Sequence, residues 1–246
     1  MEYDRWAPRY RAIQAEFDFP FEREERSAER LIDRLPAAGR RDALGRVARR
    51  LEGREVVVVG RAPHWGAPPV WQRPAGGPRP AVIAADGATV VCLTAGLVPD
   101  VIVTDLDGPV ASEVVANARG SLVVVHAHGD NPPAIDRWVP EFSGELAGSW
   151  AGPPRDGLLD VGGFTDGDRA AFLAEHVGAS RILLWAFDFA HVEEVEASAR
   201  DRKLAKLRWA AELLGELARA SRIPIEEWRP DGTLRPFQPP SGPSTQ

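Results

Sequence analysis

The feature that most constrains this chain is a short β-branched run at residues 55–59 followed by continuous apolar runs at residues 81–85, 101–104, 122–125 and 182–187. A run with no polar alternation makes a strand buried on both faces, and such strands exchanging with helices make right-handed crossovers on a parallel sheet. Helix-like segments fall between the later runs at residues 89–96, 109–118, 132–142 and 167–177, and the longest helical stretch is 197–220. The predicted fold class is α/β, a three-layer sandwich on a mostly parallel sheet.

Residues 1–53 read as an N-terminal helical segment, with Trp6, Tyr10, Ile13 and Phe17 on one face and Leu31, Ile32 and Leu35 on another, and no visible chemistry. Residues 54–228 are predicted to form one α/β domain, the part of the chain expected to be catalytic. Residues 229–246, carrying Pro230, Pro236, Pro239, Pro240 and Pro243, form a Pro-rich tail predicted to be extended or disordered. The Pro- and Gly-rich stretch 61–80, with His64, Trp65 and Trp71, reads as a long loop that crosses or covers something.

With 246 residues, 44% of them hydrophobic, the chain can bury a full core. Its net charge of −6 and lack of a long basic block argue against nucleic acid or an anionic membrane as main partner. The one cysteine, Cys92, sits in the apolar stretch Val90-Val91-Cys92-Leu93, which fits a reducing interior and no disulfide scaffold. The start, Met1-Glu2-Tyr3-Asp4-Arg5-Trp6, lacks a basic leader followed by an apolar run, and no stretch of about 18 apolar residues occurs, so a soluble cytoplasmic protein is expected.

Three of the runs end in acidic clusters: Ala84-Ala85-Asp86-Gly87-Ala88, Thr104-Asp105-Leu106-Asp107-Gly108 and His126-Ala127-His128-Gly129-Asp130-Asn131. Carboxylates gathered at the carboxyl ends of parallel strands suit a hard divalent cation, and such a cation commonly accompanies phosphate chemistry. If the strand continued through Asp105 and Asp107, both side chains would point to one side. Taken singly, a D-x-D is also an ordinary cap or turn; three strand ends in a row favour the ion, and Mg²⁺ over zinc, since no third His or Cys has ligand spacing. His126 and His128 either donate to a ligand or are bonded histidines near a turn.

Gly162-Gly163-Phe164-Thr165-Asp166-Gly167-Asp168-Arg169 precedes a helix, as a cap, an anion site or both. Neither a dinucleotide fingerprint nor a P-loop is present. All bases but two are arginine, and the two lysines, Lys203 and Lys206, lie within and at the edge of the apolar stripe of the last long helix, where they can neutralise a polyphosphate as point charges. Asp188 is a fourth strand-end acid, placed to contact an organic substrate or to cap the following turn.

Together these clusters, with Leu97-Val98-Pro99-Asp100 and Lys203-Leu204-Ala205-Lys206-Leu207, resemble the archaeal 6-hydroxymethyl-7,8-dihydropterin pyrophosphokinase family, over roughly residues 54–210. That family is related in its catalytic domain to thiamine pyrophosphokinases. The resemblance implies ATP- and Mg²⁺-dependent transfer of diphosphate to the hydroxymethyl group of a dihydropterin, giving AMP, in tetrahydromethanopterin or folate-type biosynthesis. It makes Asp86, Asp105, Asp107 and Asp130 the catalytic and metal acids. Gly60, Gly87, Thr165, Asp166, Asp168, Lys203 and Lys206 fall on the ATP side, and His126, His128, Asn131 and Asp188 on the side of the dihydropterin alcohol; a homo-oligomer stays open.

Two departures stand out. Gly60-Arg61-Ala62-Pro63-His64 replaces a glycine-rich turn containing serine, leaving Arg61 or His64 as substitutes. Ala190-His191-Val192-Glu193-Glu194 replaces a glycine-containing loop after Trp185-Ala186-Phe187-Asp188-Phe189. Thiamine pyrophosphokinase, a metal-dependent nucleotide-sugar transferase and a nucleotide-sensing module are the alternatives.

Overall fold

A computed structural model of the protein describes residues 3–62, 65–68, 79–192 and 196–240. Nine strands form one sheet: β1 Glu55–Val59, β2 Ala81–Ala85, β3 Val101–Thr104, β4 Leu122–His126, β5 Leu146–Ser149, β6 Leu158–Leu159, β7 Arg181–Trp185, β8 Ile225–Trp228 and β9 Leu234–Pro236. Their order is β6-β5-β4-β3-β2-β1-β7-β8-β9, and every pairing is parallel except β8 with β9. The winding reverses between β1 and β7, and that reversal opens a crevice at the strands' carboxyl ends, where ligands of open parallel sheets bind.

The helices are α1 Tyr3–Phe17, α2 Phe21–Arg34, α3 Ala37–Arg40, α4 Ala43–Leu51, α5 Ala88–Thr94, α6 Val110–Ala118, α7 Pro132–Trp138, α8 Asp166–His176 and α9 Ala197–Ala220. Alternate strand residues feed opposite faces of the sheet. Val56, Val58, Ile83, Val103, Val124 and Leu184 pack under α1, α4, α8 and α9. Val57, Val59, Val82, Ile102, Val123 and Leu183 pack under α2, α5, α6 and α7. This is the expected three-layer sandwich. The N-terminal helices are built into both outer layers, since α1 and α4 lie on one face and α2 on the other.

Three readings change. The strand at 182–187 stops at Trp185, because Ala186 takes a left-handed φ of 58° that turns the chain out of the sheet. Strands β5, β6, β8 and β9 were not expected. The tail is packed where it is described: Leu234–Pro236 pairs with β8, and Phe237 is buried in the core. In the 61–80 loop, Trp65 meets Trp185 edge-on at 5.4 Å, and Trp185 Nε1 donates to the Gly66 carbonyl at 2.9 Å. His64, Trp71, Glu193, Glu194 and Pro243 lie outside the described residues.

Candidate active site

A cavity of about 610 Å³ opens at the carboxyl ends of β1, β2, β3, β4 and β7. Asp86, Asp105 and Asp107 reach it from β2 and β3, His126 and His128 from β4, and Gly60, Arg61 and Asp188 from β1 and β7. Thr165 and Asp166 enter at the start of α8, and Lys203 and Lys206 from α9. Gly87 also lines it, so most of the predicted site residues share one space.

The strand ends are held in unusual backbone. Asp86, Leu106 and Ala186 take φ values of 42°, 69° and 58°, a region that non-glycine residues visit only under constraint and that often marks a functional site. Asp105 and Asp107 are brought together by this bend and not by strand pleat, which corrects the expectation that β3 runs through them. The chain leaves β3 after Thr104, whose hydroxyl accepts from Leu106 N at 3.0 Å, and Asp107 N then donates to Asp105 Oδ1 at 3.2 Å.

The acids repel one another. Burial first, then the charges of Asp107 and Asp86, push the Asp105 carboxyl up to about 6. Burial also lifts Asp86, with Asp107 adding to it. Burial, followed by the charges of Asp105 and Asp86, raises Asp166 well above the ordinary carboxyl range. Such a set has a standing demand for a cation. The buried Arg169, which lines the cavity beside Asp166 and Asp168, supplies part of it, with Nη1 and Nη2 donating to the Gly162 and Phe164 carbonyls at 3.3 Å.

Three predicted site residues fall elsewhere. The Asp130 side chain is 80% exposed, does not line the cavity, and approaches His128 Nε2 at 3.7 Å. Its carboxylate swings outward because the chain turns away after His128, so of the four acids expected to hold metal only Asp86, Asp105 and Asp107 line the cavity. Asn131 is buried and fully used as a strut: its Oδ1 accepts from Ser27 Oγ at 2.7 Å and His128 N at 2.9 Å, and its Nδ2 donates to the carbonyls of Asp105 and His126 at 2.7 and 2.8 Å. Asp168 is buried and caps α8, accepting from Phe164 N and Thr165 N at 2.7 Å. Neither Asn131 nor Asp168 lines the cavity.

The histidines differ. Burial holds His126 well below its ordinary pKa, so the ring is neutral, with Nδ1 3.1 Å from Ser149 Oγ. Burial pulls His128 down as well, but a bond to Glu24 outweighs it and the ring is raised above its ordinary value. Asp188 spends both oxygens on its own loop, accepting from Ala190 N at 2.9 Å and His191 N at 3.0 Å and pairing with His191 Nδ1 at 2.8 Å.

The cavity also draws on residues that the sequence did not mark as site residues: Tyr10, Phe19 and Glu24 from the N-terminal helices and their connection, Arg169 from α8 and Arg202 from α9. Arg169 stood in the quoted glycine motif and was legible there as a charge; Glu24 was hidden in the charged run Glu22-Arg23-Glu24-Glu25-Arg26.

The oxygen-only acids match the preference of Mg²⁺, which takes one or two carboxylates and leaves its other positions to water and phosphate. Among the described residues no three His, Cys, Asp or Glu side chains are already grouped as a cage for an ion. A cation that completes its shell with phosphate fits this donor set better than one needing an all-protein cage.

The fold and cavity define an α/β protein with a ligand cleft at the switch point of a parallel sheet, acidic on its strand ends and basic along one helix. Comparison with known proteins narrows the class. The model of the MptE-like family, 6-hydroxymethylpterin diphosphokinase, matches residues 75–194. A 6-hydroxymethyl-7,8-dihydropterin pyrophosphokinase of Methanothermobacter thermautotrophicus is 42% identical over 156 residues, which is 60% of this chain and 67% of that protein. Proteins of the same name from Pyrococcus furiosus and Methanocaldococcus jannaschii are 36% and 33% identical, over 93% and 92% of this chain and 99% of each relative. The chain belongs to the MptE-like 6-hydroxymethylpterin diphosphokinase family. No helix among its described residues is long and apolar enough to cross a membrane.

Proposed function

We propose that this protein transfers diphosphate from ATP to the hydroxymethyl group of 6-hydroxymethyl-7,8-dihydropterin, giving AMP, in the cytoplasm and within tetrahydromethanopterin or folate-type pterin biosynthesis. The observation that carries the reading is the meeting of Asp86, Asp105 and Asp107 with Lys203 and Lys206 in one cavity, in a chain whose relatives bear that enzyme name.

In this reaction the hydroxymethyl oxygen bonds to the β-phosphorus, the bond from that phosphorus to the α,β-bridging oxygen breaks, and the hydroxyl proton is lost. Asp86, Asp105 and Asp107 would hold Mg²⁺, which supplies charge neutralisation on the phosphate oxygens. Lys203 and Lys206 bind the polyphosphate as mobile point charges. The start of α8, with the Thr165 hydroxyl beside it, presents its positive end to an anion, while Asp168 keeps that turn rigid by occupying the amides of Phe164 and Thr165. Neutral His126 offers an uncharged ring to the substrate. Positioning and electrostatics, more than proton transfer, lower the barrier in such transfers.

The test is incubation with Mg-ATP and 6-hydroxymethyl-7,8-dihydropterin, followed by separation of nucleotides. The proposal expects AMP in step with pterin diphosphate; ADP would mean transfer of a single phosphoryl group and would sink it.

A further inference from the structure

Glu24 lies near the start of α2, is only 3% exposed, and lines the cavity. Its Oε1 accepts from Gly129 N at 3.1 Å and faces His128 Nδ1 at 3.2 Å, so the carboxylate is fixed at the cavity wall. Burying a carboxylate is costly unless donors surround it, so a buried acid that lines a cavity is suited to a further donor brought by a ligand.

The carboxylate is also held in register with the acids. Gly129 lies so close that a Cβ there would fall 2.9 Å from Glu24 Oε1 and 3.0 Å from the Arg23 Cβ, so only bare backbone lets α2 settle on this turn. One turn further along α2, Ser27 donates to Asn131, which in turn donates to the Asp105 carbonyl. Glu24 and Asp105 are thereby tied to one short chain of hydrogen bonds.

The walls beside Glu24 are aromatic. Phe19 meets the His128 ring edge-on with centroids 4.8 Å apart, and Phe164 stands 6.4 Å from Phe19. Flat aromatic walls with one convergent polar group suit a planar heterocycle. A pterin is such a ring, and one of its edges carries a ring N–H next to an exocyclic 2-amino group, donors that a carboxylate accepts.

We infer that Glu24, with Phe19 and Phe164 as walls, forms the subsite for the pterin ring and selects it by accepting from its 2-amino edge. The inference rests on the dihydropterin reading of the site and adds to it the residue that chooses the ring.

The experiment measures binding, without turnover, by quenching of pterin fluorescence. Two ligands are compared, 6-hydroxymethylpterin and its 2-oxo analogue, in which a carbonyl replaces the amino group. Wild type should prefer the 2-amino ring by about 10- to 100-fold, since a site built to accept from an N–H rejects the ligand lacking it. Glu24→Gln should reduce that preference to under about threefold while leaving ATP affinity within about twofold. Phe19→Leu, which leaves the carboxylate in place, should weaken both pterins by a similar factor and keep the preference. Unchanged preference in Glu24→Gln, an equal loss of ATP affinity, or tight binding of both rings by wild type would overturn the assignment. A wild type that shows the preference but yields no AMP with ATP would instead count against the proposed reaction and leave the ring subsite standing.

Discussion

Glu113, on α6, is fully buried behind Asp86, and neither of its carboxyl oxygens meets a donor in hydrogen-bond geometry. The Thr104 hydroxyl nearby is directed at Asp86 Oδ1, at 3.4 Å. Burial, followed by the Asp86 charge, pushes the Glu113 carboxyl from 4.5 up to about 9, so the folded protein carries it as the neutral acid at pH 7. An acid whose folded pKa is raised stabilises the fold fully only below its unfolded pKa, and that contribution is lost as pH rises toward the folded value. Between pH 5 and pH 8 the linkage slope of about 1.4 kcal/mol per pH unit gives a loss of up to about 4 kcal/mol from this group alone. Glu113→Gln keeps shape and neutrality without the ionisation. Urea unfolding followed by tryptophan fluorescence at pH 5, 6, 7 and 8 should therefore show the variant gaining on wild type steadily as pH rises. Parallel stability curves for the two proteins would show that Glu113 is ionised in the folded state and refute the reasoning.

Two further outcomes follow from the site's geometry. Gly163 has φ +88°, and a Cβ there would lie 2.5 Å from Arg169 Cα and 2.7 Å from its backbone nitrogen, so Gly163→Ala should cost about 2–4 kcal/mol in urea denaturation; a shift below about 0.5 kcal/mol would contradict the packing. Lys203→Ala and Lys206→Ala should each raise the KM for ATP about 10-fold, less so at high salt, with the KM for the pterin little changed, and equal effects on both substrates would argue against their phosphate role.

The sheet's centre was legible because β1, β2, β3, β4 and β7 are made of apolar runs buried on both faces, a local signal. Strand β5 reads Leu146-Ala147-Gly148-Ser149, too short and too poor in branched residues to announce itself; pairing with β4 makes it a strand. Strand β8, Ile225-Glu226-Glu227-Trp228, carries two acids that are half-buried, and Glu226 pairs with Arg181 on the neighbouring strand, a partnership distant in sequence. In the site, Asp86, Asp105 and Asp107 stood out because each follows an apolar run. Asp130 follows one too, yet the turn at His128–Asn131 sends it outward, and that bend depends on Ser27 and Glu24 from a helix about a hundred residues away. The N-terminal contribution was hidden for the same reason: Phe19 and Glu24 become site residues only through tertiary contact with His128 and Gly129 in the turn after β4. Asp168 and Asn131 were expected to bind ligand, but both lie behind the cavity wall with their bonds spent on the protein, Asp168 on the start of α8 and Asn131 on Ser27 and backbone.

The central claim is that the strand-end acids of β2 and β3 make the diphosphate-transfer site, and substitution of two of them tests it most directly. Asp105→Asn and Asp107→Asn should remain folded, and Asp105→Asn should unfold at a higher temperature than wild type without divalent ions, because it removes one of several repelling charges. AMP formation from Mg-ATP and the dihydropterin alcohol should be abolished in both. If either folded variant releases AMP at close to the wild-type rate, the acids do not serve the reaction and the account is wrong.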